Sequence, residues 1–149
     1  MNYHGRCHCG ALSFDYRTEL APQDWSIRAD QCSFCRAHGA RMTSDPHGFV
    51  EFHREEPSLL RRYRFGQRTA DFLVCAGCGV YIAATIETAK GSFAVVSVNA
   101  LVPYLEALPA PQPVSYDGES IEQRTRRREA RWTPVTGNQA NAREGFRVN

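Results

Sequence analysis

Nowhere in the sequence do eighteen apolar residues run together, and the N-terminal Met-Asn-Tyr-His-Gly-Arg-Cys has no apolar stretch after its first charge. Both absences argue against a membrane span and a secretion signal, and predict a soluble protein of the cytoplasm. Lysine is almost missing as well: Lys90 stands alone against 17 arginines in a total of 18 basic residues. Arginine replaces lysine on most solvated surfaces, so the bias names no partner. The net charge of +2 is too small to indicate nucleic acid by itself. A sustained helical period is also absent before residue 100, as are internal repeats and any sign of a second domain.

What remains is a chain of 149 residues with 42% hydrophobic content, long enough to close one core. Its middle alternates like a set of strands: residues 60–65, 69–74, 80–86 and 93–98 are short, β-branched or aromatic, and separated by turns such as Phe65-Gly-Gln-Arg68. They predict an antiparallel meander. Residues 11–16, 25–29 and 49–52 add further strands. After Ala100 the prolines at 103, 109, 111 and 113 mark a loop, and Asp117 to Ala130 reads as a short helix with early acids and later bases. Its arginines from Arg124 to Arg131 could touch an anion, but a solvated helix face is the commoner explanation. The expected organisation is a mainly β domain over residues 3–115, with a C-terminal extension over 116–149 packed on the same domain.

Six cysteines fall in three tight clusters. In a reducing compartment, such clusters point to metal or catalysis before disulfides. Cys7-His-Cys9-Gly10 and Cys75-Ala-Gly-Cys78-Gly79 both end in Cys-Gly, and a glycine there can take positive φ and turn backbone amides toward sulfur. If Cys7 and Cys9 lie on an extended segment, both side chains share a face. Cys75 and Cys78 sit in a turn between two strands. Four thiolates from two such elements suit a closed tetrahedral zinc site that staples distant parts of the chain. The alternatives are free cysteines in a reduced core, an iron–sulfur cluster, or a rubredoxin-like iron.

Cys32-Ser-Phe-Cys35 differs, because Arg36 and not glycine follows it. If residues 25–32 are extended, Asp30 and Cys32 share a face and Cys35 can turn back to join them. One carboxylate and two thiolates leave a fourth position open, as catalytic zinc sites do. The competing reading is a redox Cys-x-x-Cys pair at a helix N-terminus, which the early Gly39 and the lack of a βαβ pattern weaken.

In this order the residues resemble the family of glutathione-dependent formaldehyde-activating enzymes, whose domain is shared with centromere protein V. The resemblance spans nearly all of residues 3 to 100. It rests on Gly5-x-Cys7-x-Cys9-Gly10, Cys32-Ser-x-Cys35-Arg36, Tyr63-Arg-Phe-Gly66 and Cys75-x-x-Cys78-Gly79. It implies a single-domain, tent-like antiparallel β fold stapled by a structural zinc on Cys7, Cys9, Cys75 and Cys78. A second, labile zinc on a Cys-x-Cys-x-x-Cys trio is also implied, near which a glutathione thiol adds to formaldehyde. This chain departs from that pattern at the trio's first position, Asp30, so only Cys32 and Cys35 carry over as ligands.

Aspartate is nevertheless a legitimate zinc ligand of the same charge as a thiolate. Its harder oxygen makes a stronger Lewis acid and a less tightly held ion. The resemblance therefore implies carbon–sulfur lyase chemistry of the S-hydroxymethylglutathione synthase kind, on a small thiol and an aldehyde. Cys32, Cys35 and Asp30 carry the chemistry in this reading. Arg36 and Arg41 are candidates to receive substrate carboxylates, and His38, His47 and His53 to carry protons or substitute as ligands. Two other readings belong to different classes. One is a non-catalytic zinc module that binds a protein partner, with a decayed second site. The other is nucleic-acid binding through the arginine-rich C-terminal segment, which would require steep salt dependence.

Overall fold

The computed structural model describes residues 1–137. The chain opens with β1 (Asn2–Arg6) and β2 (Leu12–Arg17), followed by β3 (Arg28–Asp30), helix α1 (Ser33–His38), β4 (Met42–Thr43) and β5 (Phe49–Arg54). A meander of β6 (Leu60–Tyr63), β7 (Asp71–Cys75), β8 (Tyr81–Thr88) and β9 (Gly91–Ser97) comes next. Strand β10 (Gln112–Val114), helix α2 (Ile121–Arg131) and β11 (Thr133–Pro134) complete the described chain. It is one mainly β domain, as expected, and among the described residues no helix is long and apolar enough to cross a membrane. The portion of the expected C-terminal extension after residue 137 lies outside the described residues.

The strands form two sheets. One has the order β1-β2-β5, and the other runs β10-β3-β4-β9-β8-β7-β6, with β11 added beside β9. Strand β2 shows why: Leu12, Phe14 and Tyr16 are buried while Ser13, Asp15 and Arg17 alternate with them, so one face of the first sheet is apolar. That face meets Leu73, Ile82 and Val96 of the second sheet in a shared core. Gly5 is needed for close packing, because a Cβ there would lie 2.1 Å from the Phe14 ring.

Strands β8 and β9 do not alternate cleanly, since they are covered on both faces. Ile82, Ala83, Ala94 and Val96 belong to the core shared with the first sheet. Tyr81, Ala84, Ile86 and Val95 join Cys35, Met42 and Trp132 in a second apolar cluster. This second face carries α1 and α2.

Two local expectations are corrected by the structure. Of the expected strand 25–29 only Arg28 and Ala29 lie in β3, which runs on to Asp30, because a short 3-10 turn at Pro22–Asp24 leads into it and Trp25 is buried instead against Tyr3 and Tyr16. Helix α2 starts after Ser120 and not after Asp117. The Ser120 side chain accepts from the Gln123 amide at 3.1 Å and the Gln123 side chain accepts from the Ser120 amide at 2.9 Å, a reciprocal cap.

A candidate metal centre beside an arginine-walled cavity

Cys7, Cys9, Cys75 and Cys78 come together although 66 positions separate Cys9 from Cys75. Cys7 and Cys9 are not on an extended segment: β1 has already ended, and the pair lies in the tight turn into β2, closed by the Gly10 amide donating to the Cys7 carbonyl at 3.1 Å. Gly10 and Gly79 have φ of +83° and +78°, the left-handed conformations expected after the second cysteine of each pair. The Leu12 amide donates to Cys7 Sγ at 3.3 Å. Sulfurs of Cys7 and Cys9 lie 3.7 Å apart, and those of Cys9 and Cys75 3.6 Å. A tetrahedral ion with zinc–sulfur bonds of about 2.3 Å has sulfur–sulfur edges of about 3.8 Å, so the spacing fits such an ion.

Four thiols at this spacing cannot titrate independently. Burial pushes Cys75 up to about 12, with its bonded neighbours Cys9 and Cys78 adding to the rise. Burial also opposes ionisation of Cys78, yet the Cys9 and Val80 amides and the Cys75 and Cys7 thiols bring it down to about 6. A metal ion held by the four sulfurs would favour their thiolate forms over the protonated ones.

The second cluster is Asp30, Cys32 and Cys35, whose donor atoms all lie within 4.8 Å of one another. Asp30 ends β3 and accepts the Cys32 amide on Oδ1 at 2.8 Å. Cys32 is the N-cap of α1, its sulfur accepting the Cys35 amide at 3.4 Å, and one helical turn then brings Cys35 back beneath it. Gly39 closes this turn at φ +56°. The donor set suits zinc: two soft sulfurs and one carboxylate, with three ligands supplied. Burial, and then the neighbouring Cys32 and Asp30, drive the Cys35 thiol well above its ordinary range. A cation among the three would offset the cost that burial and these neighbours place on the Cys35 thiolate.

These three residues form part of the wall of a cavity of about 120 Å³. Its apolar wall includes Phe65, Phe72, Tyr81 and Trp132. Phe34 of α1 stacks on Tyr63 and Phe65 with ring centroids 5.6 and 5.5 Å apart, so α1 is held by the aromatic residues of the β6 region. Tyr81 is buried, and burial followed by the nearby Cys35, Cys32 and Asp30 raises its phenol far above the ordinary value. The lining also carries Arg28, Arg124, Arg127 and Arg128.

The expected site residues are placed unevenly. Asp30, Cys32 and Cys35 meet at the cavity. Arg36 is exposed on α1 outside its lining, while Arg41 is engaged elsewhere, donating to Asn99 Oδ1 at 2.7 Å and to the Tyr104 hydroxyl at 3.2 Å. None of the three candidate histidines lines it: His38 packs on Phe34, His47 is exposed, and His53 pairs with Asp15 on the other sheet at 2.8 Å. Tyr81 and Arg28 are not singled out by the sequence, and the arginines of α2 read there mainly as a solvated face. The adjoining Gly79-Val-Tyr81 gives a hint of Tyr81 only after β8 is paired.

Residues 2–113 match the family model described as glutathione-dependent formaldehyde-activating enzyme. The chain belongs to this family. Among curated proteins none matches. A crystal structure of a Rhodobacter sphaeroides protein is similar, with 28% identity over 74% of this chain and 97% of that one, at a TM-score of 0.47. The family's matched span ends before α2, so Arg124, Arg127 and Arg128 reach the cavity from outside it.

Proposed function

We propose that the chain is a zinc enzyme of the carbon–sulfur lyase type, joining a small thiol to an aldehyde in the reducing cytoplasm. Glutathione and formaldehyde are the pair in the family's description. In this reading Cys7, Cys9, Cys75 and Cys78 hold a structural zinc. Asp30, Cys32 and Cys35 would hold a second zinc, which when bound supplies Lewis acidity and favours the anionic form of a thiol. Residues 116–149 are assigned to the same unit as 3–115. Over the described part this is supported by Arg128 donating to Thr69 Oγ1 at 2.8 Å and Thr88 donating to Glu129 at 2.7 Å.

The reaction needs no oxidant or reductant: the thiol sulfur bonds to the carbonyl carbon, and the thiol proton ends on the former carbonyl oxygen. Tyr81 stays protonated through neutral pH and provides an O–H donor at the cavity wall for the oxygen that gains negative charge. The hydrogen bonds donated by the Cys32 amide to Asp30 Oδ1 and by the Cys35 amide to Cys32 Sγ fix the ligand geometry before substrate arrives. Phe65, Phe72 and Trp132 exclude water from the reacting groups.

The observation carrying this reading is that a three-donor cluster lies on the wall of a cavity. Its test combines a metal count with turnover. The expected content is about two zinc ions per chain, falling to about one after mild chelation. Cys32→Ser should keep the tight ion and the circular dichroism spectrum while adduct formation, followed by NMR with glutathione and formaldehyde, drops to the uncatalysed rate. A folded Cys32→Ser protein that turns over like wild type would falsify the assignment.

A further inference from the structure

Arg128 is 7% exposed, and its Nε has no hydrogen-bond partner. Its NH1 donates to the Thr69 carbonyl and hydroxyl at 3.3 and 2.8 Å, and its guanidinium lies 5.0 Å from the Trp132 ring. Among the described residues no carboxylate forms an ion pair with it. The nearby Glu119 is already held by Arg127, whose Nε and NH2 both reach its carboxylate at 3.0 Å. Asp30 belongs to the cysteine cluster. Arg28, on the same cavity, donates to the Ser44 hydroxyl at 2.6 Å and likewise has no carboxylate partner among the described residues. Buried cations are ordinarily paired, because an uncompensated one is costly. Two guanidiniums that line a cavity and have no carboxylate partner among the described residues are suited to receive an anion.

Size narrows the ligand. An enclosed cavity of about 150 Å³ holds a benzene-sized molecule, so the roughly 120 Å³ of this open cleft takes in about six non-hydrogen atoms of a ligand at a time. A tripeptide is several times larger and would leave most of itself outside.

We propose that this cavity selects a short thiol carboxylate, its sulfur at Asp30, Cys32 and Cys35 and its carboxylate on Arg128 and Arg28. The proposal rests on the thiol-binding reading of the cluster and adds the anion subsite. Arg128 comes from α2, beyond the family's matched span, so the selectivity belongs to this chain's C-terminal segment. The planar fork of arginine pairs with a carboxylate at two points, which an amide cannot reproduce.

Calorimetry on the full-length, zinc-loaded protein can separate the two layers, using 3-mercaptopropionate, 3-mercaptopropionamide and propionate as probes. The acid should bind at least about tenfold more tightly than its amide, consistent with a charge-assisted pair. Arg128→Gln should erase that preference while the amide binds as before. Arg28→Gln, less buried, should reduce it. Equal affinity of the acid and the amide for wild type overturns the anion subsite, whether or not the Arg128 variant folds. So does a folded Arg128→Gln protein that keeps the tenfold preference. Failure of the underlying thiol reading would look different: 3-mercaptopropionate would bind no better than propionate, to wild type and to Cys32→Ser alike.

Discussion

Asp30 decides how firmly the second ion is held. Its carboxylate stands where the family resemblance implies a thiolate, and it does two things at once: Oδ1 accepts the Cys32 amide, and its donor atom completes the three-ligand set. Replacing a soft sulfur with a hard oxygen leaves the charge unchanged but weakens the preference for zinc. Asp30→Cys should therefore retain a second zinc through chelation and buffer exchange that strips it from wild type. Asp30→Ala should retain only the structural ion, because two thiolates make a poor tetrahedral site. Turnover need not follow affinity, since tighter thiolate ligation lowers Lewis acidity. Metal analysis of the three proteins checks this; the same stoichiometry of one in all of them would mean that residues 30–35 are not a metal site.

At the scale of elements, α1 and α2 both supply lining residues to the same cavity, by different means. Helix α1 is six residues long, too short to show a helical period, which is why no helix was expected there. The Cys-x-x-Cys spacing was legible, and so was its grouping with Asp30, because those depend on local geometry. Helix α2 was legible as a helix but not in its role. Ile121 is 54% exposed, so no apolar stripe announces a buried face. Instead the helix packs through arginine stems, and the solvated face expected at Arg124 to Arg131 is corrected by a buried Arg128. Because so little apolar surface anchors α2, its reciprocal cap matters. Ser120→Ala should cost about 1 kcal/mol in urea unfolding and leave the zinc content unchanged. A loss of metal in that variant would show that α2 supports the clusters themselves.

For the whole molecule, the alternating strands β2 and β7 could be read from sequence, whereas β4, β10 and β11 could not. Those are two or three residues long and exist only because a neighbour pairs with them; β10 even contains Pro113, tolerated because it lies at the sheet's edge. What joins the turn after β1 to the turn after β7 was legible in the cysteines alone. A structural zinc can contribute on the order of 10 kcal/mol to folding, comparable to the net stability of an entire domain. Cys78→Ser should accordingly give unfolded or insoluble protein, while Cys32→Ser should not. Acid should act through the same sulfurs. Cys78 has its folded value depressed to about 6 from 9.0, so its contribution is present above 9 and is lost as pH falls through the folded value. A bound ion favours the thiolate further and pushes that loss lower still. Zinc release and loss of fold should thus coincide, with a midpoint below pH 6. Chelator-dye absorbance and circular dichroism recorded along one acid titration would show it. Release completed above pH 6 with the fold intact would mean that the four-cysteine ion is not what holds the two sheets together.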